Sequence, residues 1–215
     1  MKRVQHTLPE HPIVTTIDLI RHGEPEGGVR FRGWQDDPLS EAGWKQMRQA
    51  IHRHRPWEAI VSSPLSRCRE FAEELAAGNG LPLEVDERFK EIGFGEWEGE
   101  SPTTLAARIP QALARFWDDP ITHAPQGAEP MTLFQARVES AWQDLTIKYA
   151  GRHVLLVAHG GVNRMIIGKV LGMPVRNLFR LELPYAGISR ICVEQGTTRL
   201  AFHCAGLDGE IAGDD

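Results

Sequence analysis

Residues 13–20 read Ile-Val-Thr-Thr-Ile-Asp-Leu-Ile, an apolar and β-branched run that stops abruptly at Arg21 and His22. Two more apolar runs follow along the chain, and each also stops at a polar turn: 57–62 and 154–158. Runs of this kind are typical of strands that are buried on both faces, as in a parallel sheet. We therefore expect three strands of a mainly parallel sheet.

Helical patterns lie between the strand runs. Apolar residues recur at helical spacing over three segments: 44–51, 65–75 and 134–149. Ser63 followed by Pro64 predicts the N-cap and first turn of the second helix. Because strands alternate with helices, the sequence predicts an α/β fold, a three-layer sandwich with a mainly parallel central sheet flanked by helices.

The length of the chain, 215 residues, fits a single domain over residues 1–215. Residues 188–194 and 199–204 are expected to pair at an edge of the sheet. Residues 96–130 carry prolines and glycines around a helical stretch, so they form either a lid embedded in the domain or a surface helix. The Gly- and Asp-rich residues 206–215 are expected to be a disordered tail.

Composition restricts the class of protein. The formal net charge is −5 and there is no block of basic residues, so we expect no nucleic-acid partner. No apolar run approaches the roughly 20 residues that span a bilayer, and no secretory signal is visible, so no membrane association is expected. The three cysteines form no CxxC pair, which fits a reducing compartment. These features predict a cytoplasmic enzyme and leave its oligomeric state open.

Polar residues suited to binding phosphate follow each of the three strands. Arg21 and His22 follow the first strand. Arg67 lies one turn into the helix after the second, and His159 follows the third. Ligands of open parallel sheets bind outside the carboxyl ends of the strands, and the planar fork of arginine matches phosphate oxygens. Because a helix is expected to open at Gly160, its free backbone amides add to an anion site. The sequence therefore predicts a phosphate pocket.

Motifs of the common alternative mechanisms do not occur in the sequence. There is no GxxxxGK[ST] phosphate loop, no GxSxG nucleophile elbow, no Cys-x5-Arg loop and no HExxH metal motif. The stretch 93–99 imitates a dinucleotide loop but lacks its last glycine. We therefore expect no metal and no cofactor, which leaves a histidine as the candidate nucleophile for phosphoryl transfer.

Four segments resemble, in order, the motifs of the histidine phosphatase superfamily, the phosphoglycerate mutase-like proteins: Leu19–Glu24, Ser62–Arg67, Glu91–Gly99 and His159–Val162. The resemblance runs from about residue 13 to residue 204. It implies the phosphoglycerate mutase-like form of the α/β sandwich. It also implies hydrolysis of a small phosphomonoester through a phosphohistidine, without a metal or cofactor.

The same resemblance implies a role for each residue of the motifs. His22 would be the nucleophile, and Glu91 would donate a proton to the leaving oxygen. Many relatives carry an asparagine six residues after the nucleophile, where this chain has Gly28, and a main-chain amide of that turn is expected to replace one phosphate contact. The remaining phosphoryl contacts would come from Arg21, Arg67, His159 and the amide of Gly160.

The resemblance favours the phosphatase branch of the family, because the interval from Arg67 to His159 is shorter than in its mutases. Residues 94–98 and 172–174 resemble the α-ribazole phosphatases of cobalamin synthesis, which implies α-ribazole 5′-phosphate as substrate.

Three tryptophans fall in segments expected to frame the pocket mouth, where they would offer stacking faces: Trp34, Trp97 and Trp117. Three alternatives to the α-ribazole phosphatase remain open. They are a broad-specificity phosphatase, a phosphoglycerate mutase-type phosphotransferase, which residues 33–41 resemble, and a non-catalytic protein that binds a phosphorylated ligand.

Overall fold

In the computed structural model, which describes residues 13–51 and 55–205, six strands form one mixed sheet. In chain order they are β1 (Val14–Arg21), β2 (Ala59–Ser62), β3 (Leu83–Val85), β4 (His153–Ala158), β5 (Ile188–Glu194) and β6 (Thr197–His203). Their order across the sheet is β3-β2-β4-β1-β5-β6. The first four are parallel, whereas β5 pairs antiparallel with β1 and β6 pairs antiparallel with β5.

Helices connect the strands. The α-helices are α1 (Glu41–Ala50), α2 (Ser66–Asn79), α3 (Pro102–Arg108), α4 (Pro110–Asp118), α5 (Met131–Lys148) and α6 (Gly160–Val170). Short 3₁₀ helices cover Glu87–Phe89, Gly95–Trp97 and Val175–Arg180. The hairpin of β5 and β6 confirms the edge pair predicted from the sequence.

Alternate residues of the central strands face opposite sides of the sheet, and helices cover each side. Leu19 of β1 belongs to an apolar cluster with residues of α5 and α6, such as Phe134. Ile20, the next residue of β1, belongs to a second cluster with Met47 of α1 and Phe71 of α2. The two clusters confirm the three-layer α/β sandwich. β3 was not predicted, because this strand has only three residues, which are partly exposed and form no apolar run.

The start predicted for the second helix is wrong by a few residues. α2 begins at Ser66, and no side chain caps it from the preceding residue. The hydroxyl of Ser63 instead accepts from the Leu65 amide (3.3 Å) and bonds to the His159 ring (2.6 Å). The first amide of α2, that of Ser66, donates instead to the side chain of Asp36, which is distant in sequence (2.7 Å). A tertiary contact therefore overrides the local Ser-Pro signal.

The segment 96–130 contains two helices where the sequence indicated one helical stretch. Pro110 has no amide hydrogen and disfavours helical dihedrals at the residue before it. Ile109 accordingly has φ −139° and ψ 54°, and α3 ends there. Phe116 of α4 packs against Phe31 and Trp97, with ring centroids 6.1 Å and 5.2 Å away, so the segment is joined to the core by aromatic contacts.

The tail expected at residues 206–215 lies outside the described residues. Within residues 13–51 and 55–205, no helix combines the length and the apolar character that crossing a membrane requires.

Candidate active site

The carboxyl ends of β1, β2 and β4 meet at one edge of the sheet and bring their polar turns together. Arg21 at the end of β1 is level with Ala158 at the end of β4, and the His22 amide donates to the Ala158 carbonyl (3.0 Å). The Ser63 amide, just after β2, donates to a β4 carbonyl (3.0 Å). His22, Ser63 and His159 therefore follow three adjacent strands at the same level.

His22 holds one ring nitrogen on the main chain and keeps the other free. Its Nδ1 lies 2.7 Å from the Gly23 carbonyl oxygen, so Nδ1 carries the proton of the neutral ring and Nε2 keeps a lone pair. Nε2 has no hydrogen-bond partner among residues 13–51 and 55–205, and His22 lines a cavity. Burial, reinforced by the charges of Arg67 and Arg21, lowers the pKa of His22 well below its ordinary value. The ring is therefore neutral, as a nucleophile must be.

Gly23 is required by the close approach of the turn after β1 to the start of α1. A Cβ on Gly23 would collide with the carbonyl of Gly43, and a Cβ on Gly43 would collide with the carbonyl of Glu24. The two glycines thus allow α1 to support the turn whose carbonyl orients His22.

Arg21 is held by side-chain and main-chain contacts from the loop that precedes β5. Its Nη1 donates to the Leu183 carbonyl, and the ring centroid of Tyr185 lies 4.2 Å from the guanidinium carbon. The Nε of Arg21 is buried and has no partner in the described part of the chain. A buried N–H donor without an acceptor is costly, so this atom marks a place for an anion.

The same loop also ties down the backbone of both strand-end residues. The Arg21 amide donates to the Gly187 carbonyl (3.1 Å), and the Ala186 amide donates to the His22 carbonyl (3.3 Å). Ala186 has a φ of 55°, a left-handed conformation that costs energy for a residue with a Cβ. The loop 183–187 therefore positions Arg21 and His22 together.

Arg67 is fully buried at the start of α2. Its Nη1 donates to the Gln35 carbonyl (2.8 Å) and its Nη2 to the Gly33 carbonyl (2.9 Å), whereas its Nε has no partner among the residues that the structure describes. The amides of residues 33–35 donate in turn to the carboxylate of Glu98 (3.0–3.1 Å). Arg67 thus presents a second buried donor that lacks an acceptor.

His159 is buried beside the nucleophile candidate. Its ring lies edge-on to the ring of His22 with centroids 5.2 Å apart, and its Nε2 bonds to the Ser63 hydroxyl (2.6 Å). Burial, followed by the charge of Arg67, lowers the pKa of His159 well below its ordinary value. The two neutral histidine rings therefore lie edge to face, within reach of the charges of Arg67 and Arg21.

Glu91 reaches the cavity from the loop after β3. Its Oε1 accepts from the Ile92 amide (3.0 Å), and its Oε2 accepts from the Gly161 amide in the first turn of α6 (2.9 Å). A Cβ on Gly161 would collide with the Glu91 carboxylate, so only glycine allows this approach. The main-chain carbonyl of Glu91 accepts from Trp34 Nε1 (3.1 Å) and Arg137 Nη2 (3.0 Å), which fixes the residue.

Arg21, His22 and Glu91 line a cavity of about 320 Å³ with two different ends. The inner end is polar and contains Arg21, His22, Glu91 and Gly160. The outer end is mainly apolar and contains Phe31, Phe94, Trp117 and Phe179. Trp117 remains 45% exposed, and its ring centroid lies 5.2 Å from that of Phe179. The inner end suits a phosphoryl group, and the outer end suits a less polar leaving group.

The sequence profile described as "Histidine phosphatase superfamily (branch 1)" matches residues 17–205, the span that contains all of these groups. The chain belongs to the histidine phosphatase superfamily.

Named relatives and a solved structure are similar to this histidine phosphatase over most of its length. Adenosylcobalamin/alpha-ribazole phosphatase from Salmonella typhimurium is 28% identical over 186 residues, which cover 85% of this chain and 92% of that protein. Glucosyl-3-phosphoglycerate phosphatase from Mycolicibacterium vanbaalenii is 31% identical over 182 residues, 76% of this chain and 77% of that protein. The structure of Bacillus stearothermophilus YhfR gives a TM-score of 0.80 at 32% identity and covers 92% of this chain and 98% of that one. The chain is thus a phosphatase of this superfamily.

The structure of this histidine phosphatase brings most of the site residues predicted from the sequence to the cavity or close to it. Four of them line the cavity: Arg21, His22, Glu91 and Gly160. Arg67 and His159 are fully buried and do not line it, but the ring of His159 lies 5.2 Å from the ring of His22, which does. Gly28 is not among the residues that line the cavity, and its carbonyl accepts from Nη1 of Arg32; the contact of its amide with phosphate stays a prediction.

The expectation that three tryptophans frame the mouth is right for one of them. Trp117 lines the cavity. Trp97 is 2% exposed and packs in the core, because its ring completes the aromatic cluster around Phe31. Trp34 is exposed outside the cavity, where its Nε1 donates to the Glu91 carbonyl.

Three residues of the site were not singled out from the sequence: Ser63 as a partner of His159, Tyr185 and Arg164. The last two line the cavity. Arg164 lies one helical turn after Gly160, so helical periodicity places both on the same face, and this signal could have found it. Tyr185 carries no such signal, because it reaches the site through a loop distant in sequence.

No cluster of three or more His, Cys, Asp or Glu side chains suited to a metal ion occurs in the part of the chain that the structure describes. The positive charges at the inner end of the cavity belong to arginines.

Proposed function

We propose that this histidine phosphatase hydrolyses small phosphomonoesters through a phosphohistidine on Nε2 of His22. The observation that carries the proposal is the arrangement around this atom. A neutral imidazole directs its free nitrogen to a cavity that Arg21 also lines. The Nε atoms of Arg21 and of Arg67, whose charges both act on His22, are buried without acceptors among the described residues. Phosphoryl oxygens would supply those acceptors, and fixed donors of this kind stabilise the charge on the transferring group.

The first step forms a bond between His22 Nε2 and phosphorus while the ester P–O bond breaks. The leaving oxygen takes the proton of the Glu91 carboxyl group. In the second step a water oxygen attacks phosphorus, the P–N bond breaks, and Glu91 recovers a proton from that water. His159 and the amide of Gly160 complete the set of phosphoryl contacts. The proposal includes no metal, because the arginines supply the cations.

Transfer to water, not back to a second substrate hydroxyl, follows from the same proposal. The outer end of the cavity is open, and the carboxylate of Glu91 lies at the inner end beside His22, where it can activate a water molecule. A mutase-type phosphotransferase would instead return the phosphoryl group to a retained product. Formation of inorganic phosphate at the same rate as consumption of ester separates the two reactions.

Two substrate classes have specific support. The aromatic wall formed by Trp117 and Phe179 would stack on a flat base, as α-ribazole 5′-phosphate offers, and the Salmonella relative is named for that activity. A phosphorylated hydroxy acid is the second class, since the mycobacterial relative is named for a phosphoglycerate compound. Arg164, whose guanidinium lines the cavity and has no acidic partner in the described part of the chain, supports this second class.

The proposal also extends to the organisation of the chain. It treats residues 1–215 as one catalytic domain, in which residues 96–130 cover the substrate with Trp117. It places the reaction in the cytoplasm, which agrees with the absence of disulfides among Cys68, Cys192 and Cys204.

The test is a measurement of phosphate release from α-ribazole 5′-phosphate, O-phosphoserine and p-nitrophenyl phosphate. The wild type is compared with His22→Ala and with His123→Ala, which removes an exposed histidine outside the cavity. We expect turnover of at least one ester by the wild type and His123→Ala, and none by His22→Ala. Substantial turnover by His22→Ala contradicts the mechanism, and phosphate binding without turnover by the wild type indicates a non-catalytic binder.

A further inference from the structure

Arg164 stands between the two ends of the cavity. It lies one turn into α6 and lines the cavity. Its Nη1 lies 2.8 Å from the position that a Cβ on Gly160 would occupy, and Nε of Arg21 lies 3.5 Å from the same position. Its guanidinium carbon lies 5.8 Å from the centroid of the Phe179 ring in the outer wall. A ligand that extends from the phosphoryl position toward the aromatic wall therefore passes Arg164.

The guanidinium of Arg164 is oriented but not satisfied. Its Nε donates to the Leu181 carbonyl (2.8 Å), which fixes the plane of the group. Neither Nη1 nor Nη2 has an acceptor within residues 13–51 and 55–205. Burial, reinforced by the charge of Arg21, lowers the pKa of Arg164, so the protein around this cation disfavours its charge. A planar fork with two free N–H groups matches a carboxylate.

Arg164 forms no ion pair within residues 13–51 and 55–205, and the charge of Glu91 offsets only part of the effect of burial on its pKa. Arg32 is paired with Asp37. In the proposed first step, a phosphate dianion balances Arg21 and Arg67. Glu91 is the single acid among the described residues that line the cavity, and its two carboxylate oxygens accept from the main-chain amides of Ile92 and Gly161. Arg30, the remaining arginine of the lining, is exposed and donates to the main-chain carbonyls of Gly27 and Gly99. Arg164 is instead half-buried, with its Nε on the Leu181 carbonyl and both Nη atoms without an acceptor in the described part of the chain.

We propose that Arg164 forms a second anion subsite that binds a carboxylate of the leaving group, close to the phosphoester. The substrate class is then the phosphomonoesters of small hydroxy acids, including phosphorylated hydroxy amino acids. A short separation follows from the position of Arg164 Nη1 next to Gly160, whose amide belongs to the phosphoryl site. This inference rests on the proposed function and selects between its two substrate classes.

The experiment compares kcat/KM for O-phosphoserine and O-phosphoethanolamine, which differ only by the carboxylate. We expect the wild type to prefer O-phosphoserine about tenfold or more, the effect of one hydrogen-bonded charge pair. Arg164→Met should remove this preference while its kcat/KM for O-phosphoethanolamine stays within about threefold of wild type. Arg164→Lys should retain part of the preference, because the charge remains. Arg199→Met, which neutralises an exposed arginine on β6, is the control and should behave as wild type.

Three outcomes overturn the subsite. One is a wild type without preference for the carboxylate. Another is an Arg164→Met variant that loses the same factor on both esters, which would mean that Arg164 contacts the phosphoryl group or only supports the loop at Leu181. The third is hydrolysis of p-nitrophenyl phosphate with neither test ester accepted. Failure to hydrolyse any of the three esters would instead contradict the proposed function.

Discussion

Replacing Tyr185 with leucine should weaken the phosphoryl site through Arg21 without unfolding the protein. The phenol ring lies over the Arg21 guanidinium, 4.2 Å from its central carbon, and the ring of His22 is 5.9 Å away. The Leu183 carbonyl fixes one edge of the guanidinium, and the ring restricts its face. Without the ring, the guanidinium is free to rotate about its last bonds, and its Nε loses the orientation toward the phosphoryl position.

The size of the effect follows from the burial of the pair. An exposed cation–π contact contributes about 0.5–1 kcal/mol, and a desolvated one about 2 kcal/mol. Arg21 is largely buried and Tyr185 is partly exposed, so a value of about 1–2 kcal/mol applies. At about 1.4 kcal/mol for each factor of ten, Tyr185→Leu should lower kcat/KM by about 5- to 30-fold. Tyr185→Phe keeps the ring and should stay within about twofold of wild type.

The assay is steady-state hydrolysis of a phosphomonoester by both variants, with thermal unfolding as the check on the fold. Tm should change little, because the main-chain bonds of the loop 183–187 remain. If Tyr185→Leu keeps full kcat/KM, the ring does not position Arg21. If Tyr185→Phe loses as much as Tyr185→Leu, the hydroxyl and not the stacked ring is responsible, and the reasoning is refuted.

Three further predictions concern pH, stability and metals. Because burial lowers the pKa of His22 and His159, the attacking ring stays neutral below the ordinary histidine pKa of 6.5. The kcat, which does not report ionisation of the free ester at about pH 6, should therefore not fall as the pH decreases through 6.5, and an acid limb of kcat centred there would argue against it. Asp18 is fully buried and accepts from Arg190 (2.7 Å and 3.0 Å), so Asp18→Asn should lower the free energy of unfolding by about 3 kcal/mol in urea titrations. The exposed control Glu74→Gln, which weakens the surface pair with Arg48, should cost less than about 1 kcal/mol, and equal losses would show that the buried pair has no special weight. Activity should survive EDTA and be inhibited competitively by vanadate, and strong dependence on an added metal ion would contradict the proposed mechanism.

The strands and the residues directly after them could be predicted from the sequence, because both signals are local. An apolar β-branched run marks β1 and β4 wherever they lie in the sheet, and parallel strands place their carboxyl ends at one edge. His159 directly follows its run, and only Arg21 separates His22 from the run 13–20. The prediction that the two histidines lie close together therefore needed only the rule that parallel strands end at the same edge of the sheet.

Contacts that depend on distant loops could not be predicted in this way. The N-cap signal at Ser63 was misleading, because its hydroxyl bonds to the ring of His159, and Asp36 accepts from the first amide of α2, that of Ser66. Tyr185 belongs to a loop with no apolar period, and only the antiparallel pairing of β5 with β1 brings that loop to Arg21. The sequence could not show that Arg32 donates to the Gly28 carbonyl, because this contact depends on the fold of the loop that contains both residues.

Trapping the covalent intermediate is the measurement on which the mechanism depends. The enzyme is mixed with a ³²P-labelled phosphomonoester, quenched within milliseconds in base, and digested, and the labelled peptide is sequenced by mass spectrometry. We expect an acid-labile, base-stable phosphoryl group on His22, present in His123→Ala and missing from His22→Ala. Label on another residue, or full turnover by His22→Ala without any label, would contradict nucleophilic attack by His22.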